Sequence, residues 1–523
     1  MSDGQHRYVR ISSLDALSSS AFPPPSSVGR WRVLSHIRPT PRQLVAILSG
    51  VTVLLVLSVL HARSGGAPFQ LAWTSGRYGT ARLYSKMLAS TLADAQPKSS
   101  WKEQMVDTGQ YLTAMMFGGQ SNQLLAMINL LHVGKQLSLT VILPPFTAIH
   151  FKGQQRPFNL IYDLPRLYEA TGVAAIPLGY FKTPNDEALK RDELTCWSTM
   201  ELYTGAVNNH QVETGFNDHG IFTKFWALPR FPRTPDGAVI NFDPLLDFLR
   251  NRTRQLEWVE ETRRGLLPQK NLPKDVDPST VDKKENVKPW FDPLSWTPPT
   301  KDPQVLCLDA AFYLGYSVPP PPYPQHIPLE PWRGRAWQEV GQHLHFIPEV
   351  VEVADDYLAR IFGVGKVEDV PPYIAVHIRR GDFKNFHGNT FTPLKNYIAS
   401  VTDVRRQLQD RLDFPPSEIE REGKPALKQF KLPPSVYEVV VTSDEGDDSE
   451  MWDEVRELGW TRIDHTLFNT AERHGEWWLA MIDGEVLSRA QGFVGTQWST
   501  FSMASGLRVE YWQGGVQVVA DPK

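Results

Sequence analysis

Tyr373-Ile-Ala-Val-His-Ile-Arg-Arg-Gly-Asp382 is the stretch from which the fold is read. An apolar run of β-strand character stops abruptly at His377, Arg379, Arg380 and Asp382. A buried strand that delivers guanidiniums at its carboxyl end predicts a site for an anionic ligand, a diphosphate above all. In open α/β sheets, ligands sit outside the carboxyl ends of strands, where loops carry chemistry on a rigid base. The same pattern also suits a strand end whose arginines pair with nearby acids, so the rest of the chain has to decide.

Outward from that strand, the pattern is strand–helix alternation in two blocks. In the first, Tyr111–Phe117 is strand-like, Gly118-Gly-Gln-Ser-Asn122 is a tight polar turn, and 123–136 has apolar residues at helical spacing. Leu139–Leu143 is then a second strand, stopped by Pro144-Pro145. Strand, Gly turn, helix and strand in that order predict a βαβ unit. In the second block, an amphipathic helix within Arg335–Arg360 is followed by strands at Tyr373–Ile378, Tyr437–Val441 and Gly492–Gly495. The stretch from about 265 to 335, dense in Pro and charge, reads as an insertion that supplies no core. The expectation is an α/β chain with an N-terminal Rossmann-like domain over 105–335 and a C-terminal one over 336–523, facing a cleft.

Bulk properties narrow the class. The 523 residues suffice for two or three domains. A net charge of −4 and a pI near 6.4 provide no basic field for nucleic acid. The mean hydropathy of −0.32 excludes a polytopic membrane protein. One segment is membranous in character: Leu44–Leu60 carries no charge and is bounded by Arg42 and Arg63. It is at the short end of bilayer-spanning length. The polar segment 1–43 before it holds Arg7, Arg10, Arg30, Arg32, Arg38 and Arg42 against Asp3 and Asp15. The positive-inside rule then predicts a disordered cytosolic tail, a single-pass type II anchor, a stem over 61–104 and a lumenal body in the endoplasmic reticulum or Golgi. Asn251-Arg-Thr253 is a glycosylation sequon in keeping with that side of the membrane. Cys196 and Cys307 fit either one disulfide or two buried thiols.

All three strands of the second block end in polar groups. The first ends at Arg379-Arg380-Gly381-Asp382, the second at Thr442-Ser443-Asp444, and the third runs into Thr496-Gln-Trp-Ser-Thr500-Phe501 and a helix through Leu507. In a parallel sheet these ends lie side by side. Arg379 can fork onto phosphate oxygens. The helix beginning near Ser499 or Thr500 presents backbone N–H groups to an anion, though Ser499 also reads as a simple N-cap. Asp444 can accept from donors on a purine edge, or belong with Glu445, Asp447 and Asp448 to a solvated acidic face. Together they suit a nucleoside diphosphate.

On these residues the chain resembles the GDP-fucose protein O-fucosyltransferase family, whose members have the GT-B glycosyltransferase fold. His377-Ile-Arg379-Arg-Gly-Asp382 is similar to the family's His-x-Arg-x-x-Asp signature, and Ser499-Thr-Phe501 to its late Ser-Thr-Phe loop. Thr442-Ser443-Asp444 is similar to its nucleotide-contacting Asp segment, and Gly118–Asn122 to its Gly-rich turn. The resemblance implies that Arg379 stabilises the departing diphosphate, with His377 in the donor pocket and Asp444 on the base. It implies Thr500 and Phe501 on the diphosphate and nucleoside, and Gly119, Gln120, Ser121 and Asn122 over the sugar. Arg380, Asp382, Ser443 and Ser499 would support them. Transfer would be from GDP-fucose to a protein or glycan hydroxyl, with inversion and without a metal; Asp275-Val-Asp277, in the Pro-rich stretch, is not expected to bind one. The chain departs from family members that place a carboxylate beside the Gly-rich turn, since Met116 and Gln120 stand there. That departure keeps two alternatives in view: a GT-B transferase for another nucleotide sugar, and a non-catalytic nucleotide-sugar-binding protein.

Overall fold

Tyr373–Ile378, buried at every position, is the central strand of a five-stranded parallel sheet. The structure, a computed structural model, describes residues 69–116, 118–148, 154–184, 192–199, 216–229, 231, 240–263, 298–309, 311–315, 334–381, 383 and 391–521. Ser75–Lys523 form one compact unit. Among the described residues no helix is long and apolar enough to cross a membrane. The expected tail at 1–43, anchor at 44–60 and Asp275-Val-Asp277 lie outside them.

In chain order the first half contributes β1 (Tyr111–Ala114), α1 (Gln120–Leu137), β2 (Thr140–Leu143), β3 (Ala175–Pro177), β4 (Asp192–Ser198), β5 (Ile221–Ala227) and β6 (Val305–Leu308). These strands form a six-stranded parallel sheet in the order β3-β2-β1-β6-β4-β5. The second half contributes α2 (Pro348–Ile361), β7 (Tyr373–Ile378), α3 (Leu394–Asp413), β8 (Glu438–Ser443), β9 (Thr461–Arg462), α4 (Trp477–Ser488), β10 (Gly492–Thr496), α5 (Thr500–Gln513) and β11 (Val516–Ala520). Its sheet runs β9-β8-β7-β10-β11, again parallel. Strand order reverses between β1 and β6 in the first sheet and between β7 and β10 in the second. Those two reversals are where an open α/β sheet leaves a crevice for a ligand.

The strands form where short apolar runs are buried on both faces, as helix-covered parallel strands require. Ile374, Val376 and Ile378 face α3 through Tyr397, Val401 and Val404, while Tyr373 and Ala375 meet Tyr357 and Leu358 of α2. A third cluster crosses between the halves. Trp477 and Met481 of α4 and Met503, Leu507 and Tyr511 of α5 belong to the same core as β1 and α1. Trp477 Nε1 donates to Gln154 O at 2.9 Å and Trp512 Nε1 to Gln342 O at 2.7 Å, so indole N–H groups satisfy loop carbonyls at this junction.

Several boundaries differ from the sequence reading, each for a physical reason. β1 ends at Ala114 rather than Phe117, which lies outside the described residues, and α1 begins at Gln120, drawn forward by the Gly118–Gly119 turn. The helix expected within Arg335–Arg360 is two, Arg335–Glu339 and α2, because Pro348 has no N–H to continue a helix and starts a new one at its first position. The Pro-rich stretch, read as supplying no core, contains β6, with Val305, Cys307 and Leu308 buried mid-sheet. A four-residue strand between prolines and charges is too short to show a period. The stem likewise ends early: Tyr84, Met87, Leu92 and Trp101 are buried in the core, and Tyr84 Oη donates to Ala175 O of β3 at 2.6 Å. Cys196 of β4 and Cys307 of β6 form a disulfide.

Candidate active site

The site lies at the β7–β10 reversal and is built around one hydroxyl. Thr496 Oγ1, at the end of β10, donates to His377 O at 2.9 Å and accepts from Arg379 N at 2.8 Å. Tyr397 Oη of α3 is 2.7 Å from the same oxygen. Thr496 thus ties the carboxyl ends of the two strands together and fixes the backbone that carries Arg379.

Asp444 fixes the side chain. Arg379 Nη1 donates to Asp444 Oδ2 at 2.6 Å, and Arg380 N donates to Asp444 Oδ1 at 2.8 Å. The pair is partly exposed, at 22% and 23% of the side chains. Gly381 is required by this approach: a Cβ there would stand 2.1 Å from Asp444 Oδ2. Arg379 also lies over the Phe383 ring at 5.4 Å, and Arg380 over Phe391 at 5.2 Å. Ser443 Oγ donates to Ile378 O at 2.7 Å, closing the β7–β8 end. Asp382 lies outside the described residues.

His377 is buried and neutral. Its Nδ1 is 2.7 Å from Ser502 Oγ, which also accepts Thr496 N–H at 3.0 Å. Burial pushes its pKa down to about 3, with Arg379 adding to the shift and Asp444 opposing it. The imidazole packs against Phe501 at 4.9 Å between ring centres. Ser499 caps α5: its Oγ accepts from Ser502 N at 3.2 Å. The N–H groups of Thr500 and Phe501, in the first turn, have no partner within the helix and point toward its amino end. An anion seated there meets backbone donors, the positive end of the helix dipole and the Arg379 loop.

The sequence reading passed over a buried carboxylate on α4, Asp483. A Cβ on Gly484, the next residue of α4, would lie 3.7 Å from Phe501 Cζ, so this helix packs on the ring one residue beyond Asp483. Asp483 Oδ1 is 3.0 Å from His465 Nε2, and His465 Nδ1 is 3.0 Å from Thr470 Oγ1. Burial disfavours a charge on His465, but the Asp483 carboxylate outweighs it and the pKa is raised. Oδ2 of Asp483 has no protein partner among the described residues. Asp483 sits in a helix with no motif around it, so nothing in the linear pattern marks it.

The Gly-rich turn belongs to the first sheet. Gly118 adopts φ +71°, where a Cβ would collide with Asn122 Nδ2 at 2.5 Å. Gln123, the residue that follows Asn122 in the Gly-rich motif, anchors the turn: its Nε2 donates to Gly118 O at 2.8 Å and Thr147 O at 3.0 Å, and its Oε1 accepts Thr147 N–H at 2.9 Å. Gly119 precedes α1 as its N-cap, and Gln120, Ser121 and Asn122 form a half-exposed first turn. At the end of β6, beside β1, Asp309 accepts from Ser198 Oγ, Thr199 N and Thr199 Oγ1 at 2.6, 2.6 and 2.5 Å. Three donors occupy both oxygens of this carboxylate, which suits bracing the strand ends better than proton abstraction. Asn251, away from the site, is exposed, and its Oδ1 caps the next helix by accepting from Arg254 N at 3.0 Å.

An α/β chain with two parallel sheets, an arginine and a helix N-terminus converging at the switch point of one, has the parts of a nucleotide-sugar transferase. The GDP-fucose protein O-fucosyltransferase family model matches residues 111–511, and the chain belongs to that family of fucosyltransferases. Comparison with individual curated proteins gives no match. Among solved structures, POFUT1 in complex with GDP-fucose is 15% identical, covering 80% of this chain and 98% of that one, at a TM-score of 0.42. POFUT1 in complex with GDP is also 15% identical, covering 79% and 99%, at 0.42. The fucosyltransferase NodZ from Bradyrhizobium is 11% identical, covering 76% and 91%, at 0.33.

Proposed function

We propose that this enzyme transfers fucose from GDP-fucose to a hydroxyl on a protein or glycan acceptor, with inversion, using a GT-B-type cleft. The diphosphate sits on the first turn of α5 against Arg379. The bond between the sugar's anomeric carbon and the β-phosphate oxygen breaks there, its electron pair staying with the diphosphate, and the acceptor oxygen attacks from the opposite face and gives up its hydroxyl proton to solvent water. Charge builds on the departing diphosphate, where Arg379 and the α5 N–H groups are preorganised for it. Asp444, whose two oxygens serve the Arg379 loop, positions the catalytic arginine. With Asp444 so engaged, we assign the N1–H and N2–H edge of guanine to the buried Asp483 carboxylate of α4, the helix that packs on Phe501 through Gly484. His377 and Phe501 form the apolar wall of that pocket. The Gly119–Asn122 turn supplies donors from the first sheet.

The observation that carries this reading is the convergence of Arg379 and the α5 amino end at the β7–β10 reversal, beside His377 and Phe501. Its test is thermal stabilisation of the protein by GDP, GDP-fucose, ADP and UDP, in the wild type and in Asp483→Asn. A ligand at 100 times its Kd adds about 2.7 kcal/mol. Guanine nucleotides alone stabilise the wild type, and Asp483→Asn weakens GDP at least tenfold. Stabilisation by ADP equal to that by GDP overturns the base assignment. No stabilisation by any guanine nucleotide overturns the site.

For the cell, the uncharged run 44–60 acts as a type II anchor, with the body in the lumen of the endoplasmic reticulum or Golgi. The Cys196–Cys307 disulfide supports an oxidising compartment. A glycosidase-sensitive mass on Asn251 checks this; a cytosolic, unglycosylated, reduced chain overturns it.

A further inference from the structure

Trp498 is held where a tryptophan is least at ease. Its φ is +67°, in the left-handed region that side chains with a Cβ avoid. Its residue is 49% exposed, while the other tryptophans whose burial is described are buried or half-buried. No hydrogen bond or ring contact is found for the indole among the described residues. Its surroundings impose the conformation. Two residues back, Thr496 is locked into the β7–β10 junction, and on its other side Ser499 is buried as the cap of α5. The chain turns through a strained position between two fixed points and presents a large aromatic face to solvent beside the anion-binding turn.

We infer that Trp498 is the platform for the transferred sugar: its indole face receives the 6-deoxyhexosyl group of the donor. This rests on the proposed seating of the diphosphate at α5. Trp498 immediately precedes the N-cap, and consecutive Cα atoms are about 3.8 Å apart, so the ring starts within two residues of the N–H groups that hold the phosphate. The sugar is tethered to the β-phosphate through one oxygen and cannot lie far from it. A 6-deoxyhexose offers an apolar edge of C–H groups and a methyl, the surface an exposed indole buries well. A strained aromatic kept beside a charged site, with no partner among the described residues, is best accounted for by a partner that arrives with the ligand.

The test measures the affinities of GDP, GDP-fucose and GDP-mannose for the wild type, Trp498→Phe, Trp498→Ala and Trp498→Gly, together with each variant's Tm. GDP binds all four proteins within about twofold. GDP-fucose loses about tenfold in Trp498→Ala and Trp498→Gly and less in Trp498→Phe, while GDP-mannose, a D-hexose with a hydroxymethyl group in place of the methyl, loses less than GDP-fucose. Trp498→Gly keeps or raises the Tm, because glycine takes φ +67° without strain. Equal losses for GDP and GDP-fucose, or GDP-fucose binding independent of residue 498, overturn the assignment. A fall in Tm in Trp498→Gly, with GDP-fucose affinity unchanged, makes the indole a structural residue instead. If GDP fails to bind the wild type at all, the diphosphate seating fails first, and that outcome is separable from the others.

Discussion

Asp444 holds Arg379 from the neighbouring strand, so the guanidinium is placed before a ligand arrives and its ordering is not charged to binding. Losing one preorganised cation at a developing anion typically costs about 3–4 kcal/mol of barrier, a hundred- to thousandfold in rate. Arg379→Ala should lower fucosyl turnover by that factor with GDP-induced stabilisation reduced, and near wild-type turnover by a folded variant would remove Arg379 from the mechanism. The strand end made this residue legible, because a guanidinium closing an apolar run is conspicuous. Its partners were not: Thr496 and Asp483 act through contacts that no local spacing encodes, and one sequence cannot say that Asp444 is engaged by Arg379 and Arg380. His377 makes a second prediction. Its pKa is about 3 when folded, and the ordinary value is 6.5. As pH falls below 6.5 the unfolded chain takes up a proton that the folded chain refuses, so stability drains between pH 6.5 and about 3. His377→Phe should flatten that limb in a Tm-against-pH series. An unchanged slope would mean that other groups carry the acid loss.

At the scale of elements, helix α5 divides its first-turn donors between structure and ligand. Ser499 takes the N–H of Ser502, while those of Thr500 and Phe501 face the site. The two uses separate experimentally. Ser499→Ala removes the cap and should cost about 1 kcal/mol of stability. GDP affinity should change less than threefold, because phosphate does not use the Ser502 N–H. A tenfold loss of GDP with unchanged Tm would show that Ser499 is itself a ligand contact. The three strand ends and this helix were readable because each couples an apolar run to an abrupt polar stop. β6 was not readable: four buried residues amid prolines carry no periodicity, and only pairing with β1 and β4 makes them a strand.

Across the whole molecule, the question is whether the two sheets unfold together. One apolar cluster joins β1 and α1 to Trp477, Met481, Met503, Leu507 and Tyr511, so α4 and α5 bury part of their apolar surface only against the first half. Arg508 of α5 adds to the junction, buried against Phe346 at 4.6 Å and Tyr162 at 5.7 Å. The disulfide lies wholly in the first sheet, whereas GDP is assigned to the second. Cys196 and Cys307 are 111 residues apart, and closing a loop of that size stabilises by about 4–5 kcal/mol in the chain-entropy account. A Cys196→Ser, Cys307→Ser protein should therefore melt well below the wild type. Saturating GDP should raise both proteins by a similar free-energy increment, each in a single transition, because a ligand on one sheet stabilises everything that unfolds with it. Two transitions in the double variant, with GDP moving only one of them, would mean that the shared cluster does not couple the halves. The second sheet would then hold its nucleotide as a separately folding domain.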